Sequence, residues 1–230
     1  MKIVILSDIH SNLGALEAAV HRLPSYDELV CLGDVVGYGP QPNEVVERLR
    51  SLRPTVVLMG NHDYAVVTGD TYGFSSNAER AIDWTRGEIG GEQREYLAKL
   101  KPSARLKKEG VTLALYHGSP NDPLTEYIYP GMPDAAARAL IRRGSARVVL
   151  LGHTHVPMLY RFDDGILANP GSVGQPRDGD PRASFALLTI TNRSIHFEIE
   201  RVEYDVDPVA KRIRDRGLPS FLAERLYIGA

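Results

Sequence analysis

Cysteine is almost absent from this 230-residue chain: Cys31 is the only one, so no internal disulfide framework can form. Its setting in the apolar run Leu29-Val30-Cys31-Leu32 is that of a buried, inert thiol. A surplus of positive charge is also missing. With 27 Lys and Arg against 29 Asp and Glu, the formal net charge is -2, whereas chains that live on nucleic acid carry a basic excess. No clear nucleic-acid partner is expected, and the basic stretch Lys101 to Lys108 reads as the solvated face of a hairpin. Long hydrophobic runs are lacking too. Ile3-Val4-Ile5-Leu6 is strand length and gives way at once to Ser7-Asp8, too short for a signal peptide or a membrane span. A cytoplasmic location without membrane association is the expectation. No internal repeat, low-complexity linker or shift of composition marks a second unit, so residues 1–230 are read as one domain.

What is present is ordinary globular composition, 43% hydrophobic and 24% charged, which excludes disorder. The pattern alternates strands and helices and so predicts an α/β fold. Ile3 to Leu6, Glu28 to Leu32 and Thr55 to Met59 read as buried strands. Asn12 to Leu23 and Asn43 to Leu52 carry apolar residues at helical spacing between them. Ser75 to Leu100 reads as helical with a break at Gly90-Gly91, Leu113 to Tyr116 and Arg147 to Leu151 as strands, and an alanine-rich helix follows Pro133. From Met158 the spacing predicts strands over 158–162, 165–168, 185–190 and 195–202, then a helix over 209–216.

The chemistry concentrates where strands end. Five clusters stand there: Asp8-Ile9-His10, Gly33-Asp34, Gly60-Asn61-His62-Asp63, Tyr116-His117-Gly118 and Gly152-His153-Thr154-His155. Five of the seven histidines fall in these clusters, a concentration that scatter does not produce, while His21 and His196 read as solvated positions. Oxygen and imidazole donors without thiolate suit a divalent ion of intermediate hardness rather than a structural zinc knot. In Asp8-Ile9-His10 and His153-Thr154-His155 the donors stand two apart, so an extended segment would point both the same way. Burying so many donors together without a metal would be costly. An anionic phosphate ester needs its charge offset and a water made acidic, which two ions ~3.5–4 Å apart provide.

In this order and on this strand pattern, the five clusters resemble the calcineurin-like metallophosphoesterase family, from Asp8 to roughly Arg177, and in particular its small bacterial phosphodiesterase-like branch. The resemblance implies a four-layer sandwich, two mixed β-sheets face to face with α-helices outside. It implies that Asp8, His10 and His155 bind one ion, that Asp34 bridges both, and that Asn61, His117 and His153 complete the second. It further implies in-line attack by a metal-bridging hydroxide, with His62 assisting the leaving oxygen. Manganese is the expected metal, with iron, zinc, nickel or magnesium as alternatives.

Departures from the family pattern narrow the branch. Its serine/threonine protein phosphatases read Gly-Asp-x-Val-Asp-Arg in the second cluster; here Gly37 and Tyr38 replace the Asp that orients the catalytic histidine and the Arg that grips phosphate. Asp63 is the candidate to orient His62 instead. The stretch Asn169 to Arg177 is similar to one in the small members and makes Arg177 a candidate phosphate contact; Asn12 is a second, with plain helix capping as its other reading. Trp84 reads as packing, while Tyr38, Tyr64, Tyr72 and Tyr127 are candidates to stack on a nucleoside or aryl group. The expected substrate is a small phosphodiester. The alternatives are a phosphomonoester or a nucleotide pyrophosphate at the same site, then a nuclease, or a non-catalytic scaffold of the same fold. No feature of the sequence reads the oligomeric state.

Overall fold

The computed structural model describes residues 1–230. In chain order the elements are β1 (Lys2–Leu6), α1 (Leu13–Arg22), β2 (Glu28–Cys31), α2 (Pro42–Ser51), β3 (Val56–Val57), α3 (Asn61–Thr68), α4 (Ser76–Glu88) and α5 (Gly91–Ala98). There follow β4 (Ser103–Lys108), β5 (Val111–Tyr116), α6 (Asp134–Gly144), β6 (Val148–Leu150), β7 (Met158–Phe162) and β8 (Gly165–Asn169). The last are β9 (Ala183–Ile190), β10 (Ile195–Val202), α7 (Val206–Asp215) and α8 (Ser220–Glu224), with a short 3-10 turn at Arg225–Tyr227. No helix is long and apolar enough to cross a membrane.

The strands form two five-stranded sheets, ordered β10-β9-β1-β2-β3 and β4-β5-β6-β8-β7. Both are mixed. β1 runs parallel to β2 and antiparallel to β9, while β6 lies parallel to both β5 and β8. Side-chain alternation explains the layering. Ile3 and Ile5 of β1 pack with Val30, Leu32, Leu115, Val148 and Leu150 between the sheets. Val4 and Leu6 point the other way and pack with Ala15, Leu16 and Ala19 of α1 and Val45, Val46 and Leu49 of α2. The outer face of the second sheet, Ala114, Val149 and Leu167, is covered by Ala137, Leu140 and Ile141 of α6. The result is helix, sheet, sheet, helix, the four-layer sandwich that the resemblance implies.

Most elements lie within a residue or two of their expected bounds, and the break in the 75–100 segment falls at Ile89 and Gly90, between α4 and α5. Two differ. The strand expected over 55–59 is regular only at Val56–Val57, although the amides of Thr55 and Leu58 still bond Leu29 and Cys31 across the sheet. The helix α3 was not expected, because its first turn is the polar cluster at residues 61–63, which it buries along with only two apolar side chains, Ala65 and Val66. Cys31 is fully buried between β1 and the helices, and burial pushes its thiol well above the usual range.

Two outcomes follow. Ellman's reagent should leave the folded protein unmodified and titrate one thiol per chain in guanidinium, because only the thiolate reacts. Leu115→Ala, at a position with no solvent exposure between the two sheets, should lower unfolding free energy by ~2–5 kcal/mol, read from the denaturant midpoint.

Candidate metal centre

All five clusters come to one edge, beyond the carboxyl ends of the parallel strands, where ligands gather in open α/β sheets. Asp8 and His10 follow β1, Asp34 follows β2, His117 follows β5, His153 and His155 follow β6, and Asn61 is the first residue of α3. The extended segments expected around Asp8-Ile9-His10 and His153-Thr154-His155 are not what brings these donors together. β1 ends at Leu6 and β6 at Leu150, and Asp8, His10, His153 and His155 sit in left-handed backbone at φ 53°, 50°, 68° and 60°. Strand alternation would string donors along a line ~6–7 Å apart; the left-handed residues instead curl each loop around the centre. Cross-loop hydrogen bonds hold the curl: the amide of Asp8 donates to Gly33, His10 to Asp34 and Ser11 to Val35, each at 3.0 Å.

Each carboxylate has one oxygen fixed and one free. Asp8 Oδ2 accepts from Ser7 Oγ at 2.5 Å and from the amide of His153 at 3.1 Å, and Asp34 Oδ1 accepts from the amide of His62 at 2.8 Å. Asp8 Oδ1 and Asp34 Oδ2 are buried with no hydrogen-bond partner. They face imidazoles instead: Asp8 Oδ1 is 3.3 Å from His155 Nε2, and Asp34 Oδ2 is 3.5 Å from both His10 Nε2 and His117 Nε2.

The imidazoles cannot satisfy those oxygens with protons, because their protons are committed elsewhere. His10 Nδ1 donates to Val36 O at 3.2 Å, His117 Nδ1 to Leu32 O at 2.8 Å, His155 Nδ1 to Gln175 O at 2.6 Å and His153 Nε2 to Thr125 O at 3.1 Å. Such backbone bonds fix the tautomer and aim the other nitrogen as a lone pair. Burial holds His153 down at about 3 and His155 at about 4, and lowers His10 and His117 as well, so all four are neutral at pH 7. The lone pairs of His10 Nε2 and His155 Nε2 then face each other at 2.9 Å, and that of His117 Nε2 faces Asn61 Oδ1 at 3.0 Å. Acceptor against acceptor at hydrogen-bond distance is a cradle for cations.

The donors fall into two sets, Asp8, His10, Asp34 and His155, and Asp34, His117 and His153, each with its ligand atoms within 4.8 Å of one another. Asp34 belongs to both. Burial and the negative charges of Asp63 and Asp8 raise its carboxyl well above the usual range, a strain that positive charge at the centre relieves.

His62 stands beside these sets without joining either. Its ring packs against His10, Tyr38 and Phe74 with centroids 4.8, 4.3 and 4.8 Å away, and its Nδ1 is buried without a partner. That nitrogen lies against Gly37, where an added Cβ would come within 2.5 Å of it. Asp63 does not orient His62, contrary to the expectation. Its carboxylate accepts from the amides of Gly60 at 2.9 Å and Val36 at 3.0 Å, capping α3 and pinning the loop after Asp34. Asn12 has its polar atoms engaged within the fold. Its oxygen caps α1 through the Ala15 amide, and its amide group donates to Gly174 O and to the Tyr204 hydroxyl. Arg177 remains available: it donates to Gln175 Oε1, lies over the Tyr38 ring with its guanidinium carbon 5.5 Å from the centroid, and keeps a buried Nε unpaired.

Of the other tyrosines singled out, Tyr72 is almost fully exposed, and Tyr127 lies on the His153 ring at 3.8 Å. Three contributors escaped the sequence reading. Ser7 and the carbonyls of Leu32, Val36, Thr125 and Gln175 act through hydrogen bonds that no residue type announces, and Phe74 lies far from any cluster in sequence.

Comparison with known proteins agrees with this geometry. The model of the calcineurin-like phosphoesterase superfamily domain matches residues 1–193. Uncharacterized protein MJ0912 of Methanocaldococcus jannaschii is 34% identical over 246 residues, covering 99% of this chain and 98% of its own. Phosphodiesterase YfcE of Escherichia coli K12 is 26% identical over 198 residues, covering 82% and 87%. The crystal structure of a metallophosphoesterase from Sphaerobacter thermophilus is 35% identical, covers both chains in full and superposes with a TM-score of 0.85.

Asp34→Asn and His155→Ala should each lower the metal recovered per chain by elemental analysis. Gly37→Ala should leave metal content unchanged, yet lower turnover by ~10², the scale of a displaced catalytic group, since the new methyl meets the His62 ring.

Proposed function

The chain belongs to the calcineurin-like phosphoesterase superfamily, and on that premise we propose that it hydrolyses a small phosphodiester at a centre of two divalent ions. The family makes it a metal-dependent hydrolase of phosphoric esters; the ion count, the diester and the residue roles are our reading. One observation carries it: two donor sets share Asp34, whose free oxygen has only imidazole lone pairs around it. Asp8, His10 and His155 would hold one ion, Asn61, His117 and His153 the other, with Asp34 between. Manganese suits these oxygen and nitrogen donors. When bound, two such ions offset the charge of the ester and make a water acidic enough to attack in line.

The protein's own part is positioning and proton supply. Because His62 Nδ1 has no acceptor, its proton belongs on Nε2, and the ring offers the leaving oxygen an N–H donor held by Tyr38 and Phe74. Arg177, with donors to spare over Tyr38, suits a non-bridging phosphoryl oxygen through its planar fork. A diester is favoured over a phosphoprotein because Gly37 and Tyr38 replace the Asp and Arg of the protein phosphatases, and a relative covering most of the chain is named a phosphodiesterase. A cytoplasmic setting suits the single buried thiol.

Protein stripped of metal and reloaded with manganese should cleave bis-p-nitrophenyl phosphate faster than p-nitrophenyl phosphate. His62→Ala should retain its metal and lose ~10²–10⁴ in turnover, the scale of general-acid loss. A preference for the monoester would make the enzyme a phosphatase, and loss of metal from His62→Ala would make that residue a ligand.

A further inference from the structure

A groove of about 520 Å³ lies beside the metal cradle and is distinct from it. Its walls are Tyr127, Ile128, Tyr129 and Met132 from the loop after β5, and Ala139 and Leu140 from α6. The lining is mainly hydrophobic and the volume lies in the range of small-molecule sites. Asn121, Glu126 and Arg143 supply the polar groups at its margin.

Two features tie this groove to the reacting centre. Tyr127 belongs to both, since its ring covers His153, whose Nε2 is in turn bonded to the loop at Thr125 O. A chain of contacts thus runs from the second donor set through His153 to the groove wall, one aromatic ring thick.

The groove is also preformed. Asp122 Oδ1 accepts from the amides of Leu124 and Thr125, Gly118 donates to Pro123 O, and Ser119 donates to Glu126. The Tyr160 hydroxyl receives the Gly131 amide at 2.9 Å and donates to Met132 O at 3.0 Å, closing the far end of the loop. Along α6 the residues facing it are Ala136, Ala139, Leu140 and Arg143, one helical stripe whose small members leave the space open. Tyr127 and Tyr129 stand parallel, 4° apart with centroids at 5.9 Å, half exposed and braced from behind. Flat rings already held in place accept another flat ring on an exposed face or edge at little entropic cost.

We propose that this groove binds a planar aromatic ester group of the substrate, seated on Tyr127 and Tyr129 while the phosphoryl group occupies the donor sets next to His153. The proposal rests on the phosphodiesterase reading and narrows it to diesters whose retained, non-leaving arm is aromatic, since His62 at the leaving side packs on His10 while the groove's Tyr127 packs on His153. Arg143 is in no ion pair with an acidic side chain, whereas the Glu126 carboxylate is engaged by Ser119 and Asn121. The free polar character of the margin is therefore donor-rich and suits a ring that carries acceptors, as a nucleobase does.

Three diesters with the same p-nitrophenolate leaving group test this, their other arm being methyl, phenyl or thymidine 5′. The phenyl or thymidine ester should show a KM at least about tenfold below that of the methyl ester, the scale of one aromatic contact, with kcat changing less. Preference for thymidine assigns a nucleoside and preference for phenyl an aryl group. Tyr129→Ala, at a half-exposed position, and Ala139→Trp, which fills the groove, should each bring the KM values together. Equal KM for all three esters in the unaltered enzyme would overturn the proposal and leave the phosphodiesterase standing. If no ester turns over, the phosphodiesterase reading fails, and calorimetry decides the groove. Thymidine 5′-monophosphate binding no tighter than methyl phosphate overturns it; tighter binding that Ala139→Trp removes supports it. A concentration-dependent dimer abolished by Ala139→Trp would give the groove to a second copy of the chain and overturn it as well.

Discussion

Two buried carboxylates with one free oxygen each, Asp8 and Asp34, set the terms for everything around them. A charged group removed from water without a partner costs several kcal/mol, and four neutral imidazoles whose protons are already committed cannot supply one. Beyond the Arg177 guanidinium, which acts on Asp34, positive charge brought to the centre would offset that cost. The loops are shaped for that arrival: seven of the ten non-glycine residues at positive φ belong to them, namely Asp8, His10, Ser11, Asp34, Tyr38, His153 and His155. Each left-handed residue costs ~1–2 kcal/mol, a large demand against a typical total stability of ~5–15 kcal/mol. Such backbone persists where surroundings over-determine it. The amides that cross between loops supply that constraint, and ion binding, which the unfolded chain cannot match, couples the centre to folding.

The same constraint explains why His62 is held by rings and not by a carboxylate. A third acid beside Asp34 would raise the burial penalty further, and Asp63 already raises the Asp34 carboxyl. Asp63 is tolerated because two amides bond it while it caps α3; burial nevertheless pushes it up to about 6. Gly37, which removes the orienting acid of the protein phosphatases, makes room for the imidazole, and Tyr38 and Phe74 fix its plane by contact. Aromatic packing substitutes for an ionic brace at no electrostatic cost.

The cluster of potential donors was legible because chemistry restricts residue type: only a few side chains bind divalent ions, and Asp8, His10, Asp34, His117, His153 and His155 stand where strands visibly stop. The layered fold was legible from alternating apolar strands and helices with the right faces, since Ile3 and Val4 divide between two cores as period two requires. How the donors converge was not. An extended Asp8-Ile9-His10 and a left-handed one have the same sequence, and the difference lies in amide bonds to Gly33 and Asp34 far along the chain. The backbone partners that absorb the polar atoms of Asn12 and Asp63 were hidden for a related reason, since no residue type announces them. Helix α3 was hidden because its first turn is the polar site itself and only Ala65 and Val66 follow as buried apolar residues.

The centre straddles the two sheets, and that determines where variation can enter. Asp8 and Asp34 come from one sheet, His117, His153 and His155 from the other, so the layer of Ile5, Leu32, Leu115 and Leu150 between them also sets ligand spacing. A change there moves both halves of the centre against each other and is felt by metal and fold alike. The loop over residues 118–132 and the outer face of α6 carry no such load. They touch the centre only through Thr125 and Tyr127 against His153, so their side chains can alter what lies beside the phosphoryl group without moving a donor. Specificity is therefore free to diverge in this loop and helix, while the donors stay fixed by the core beneath them.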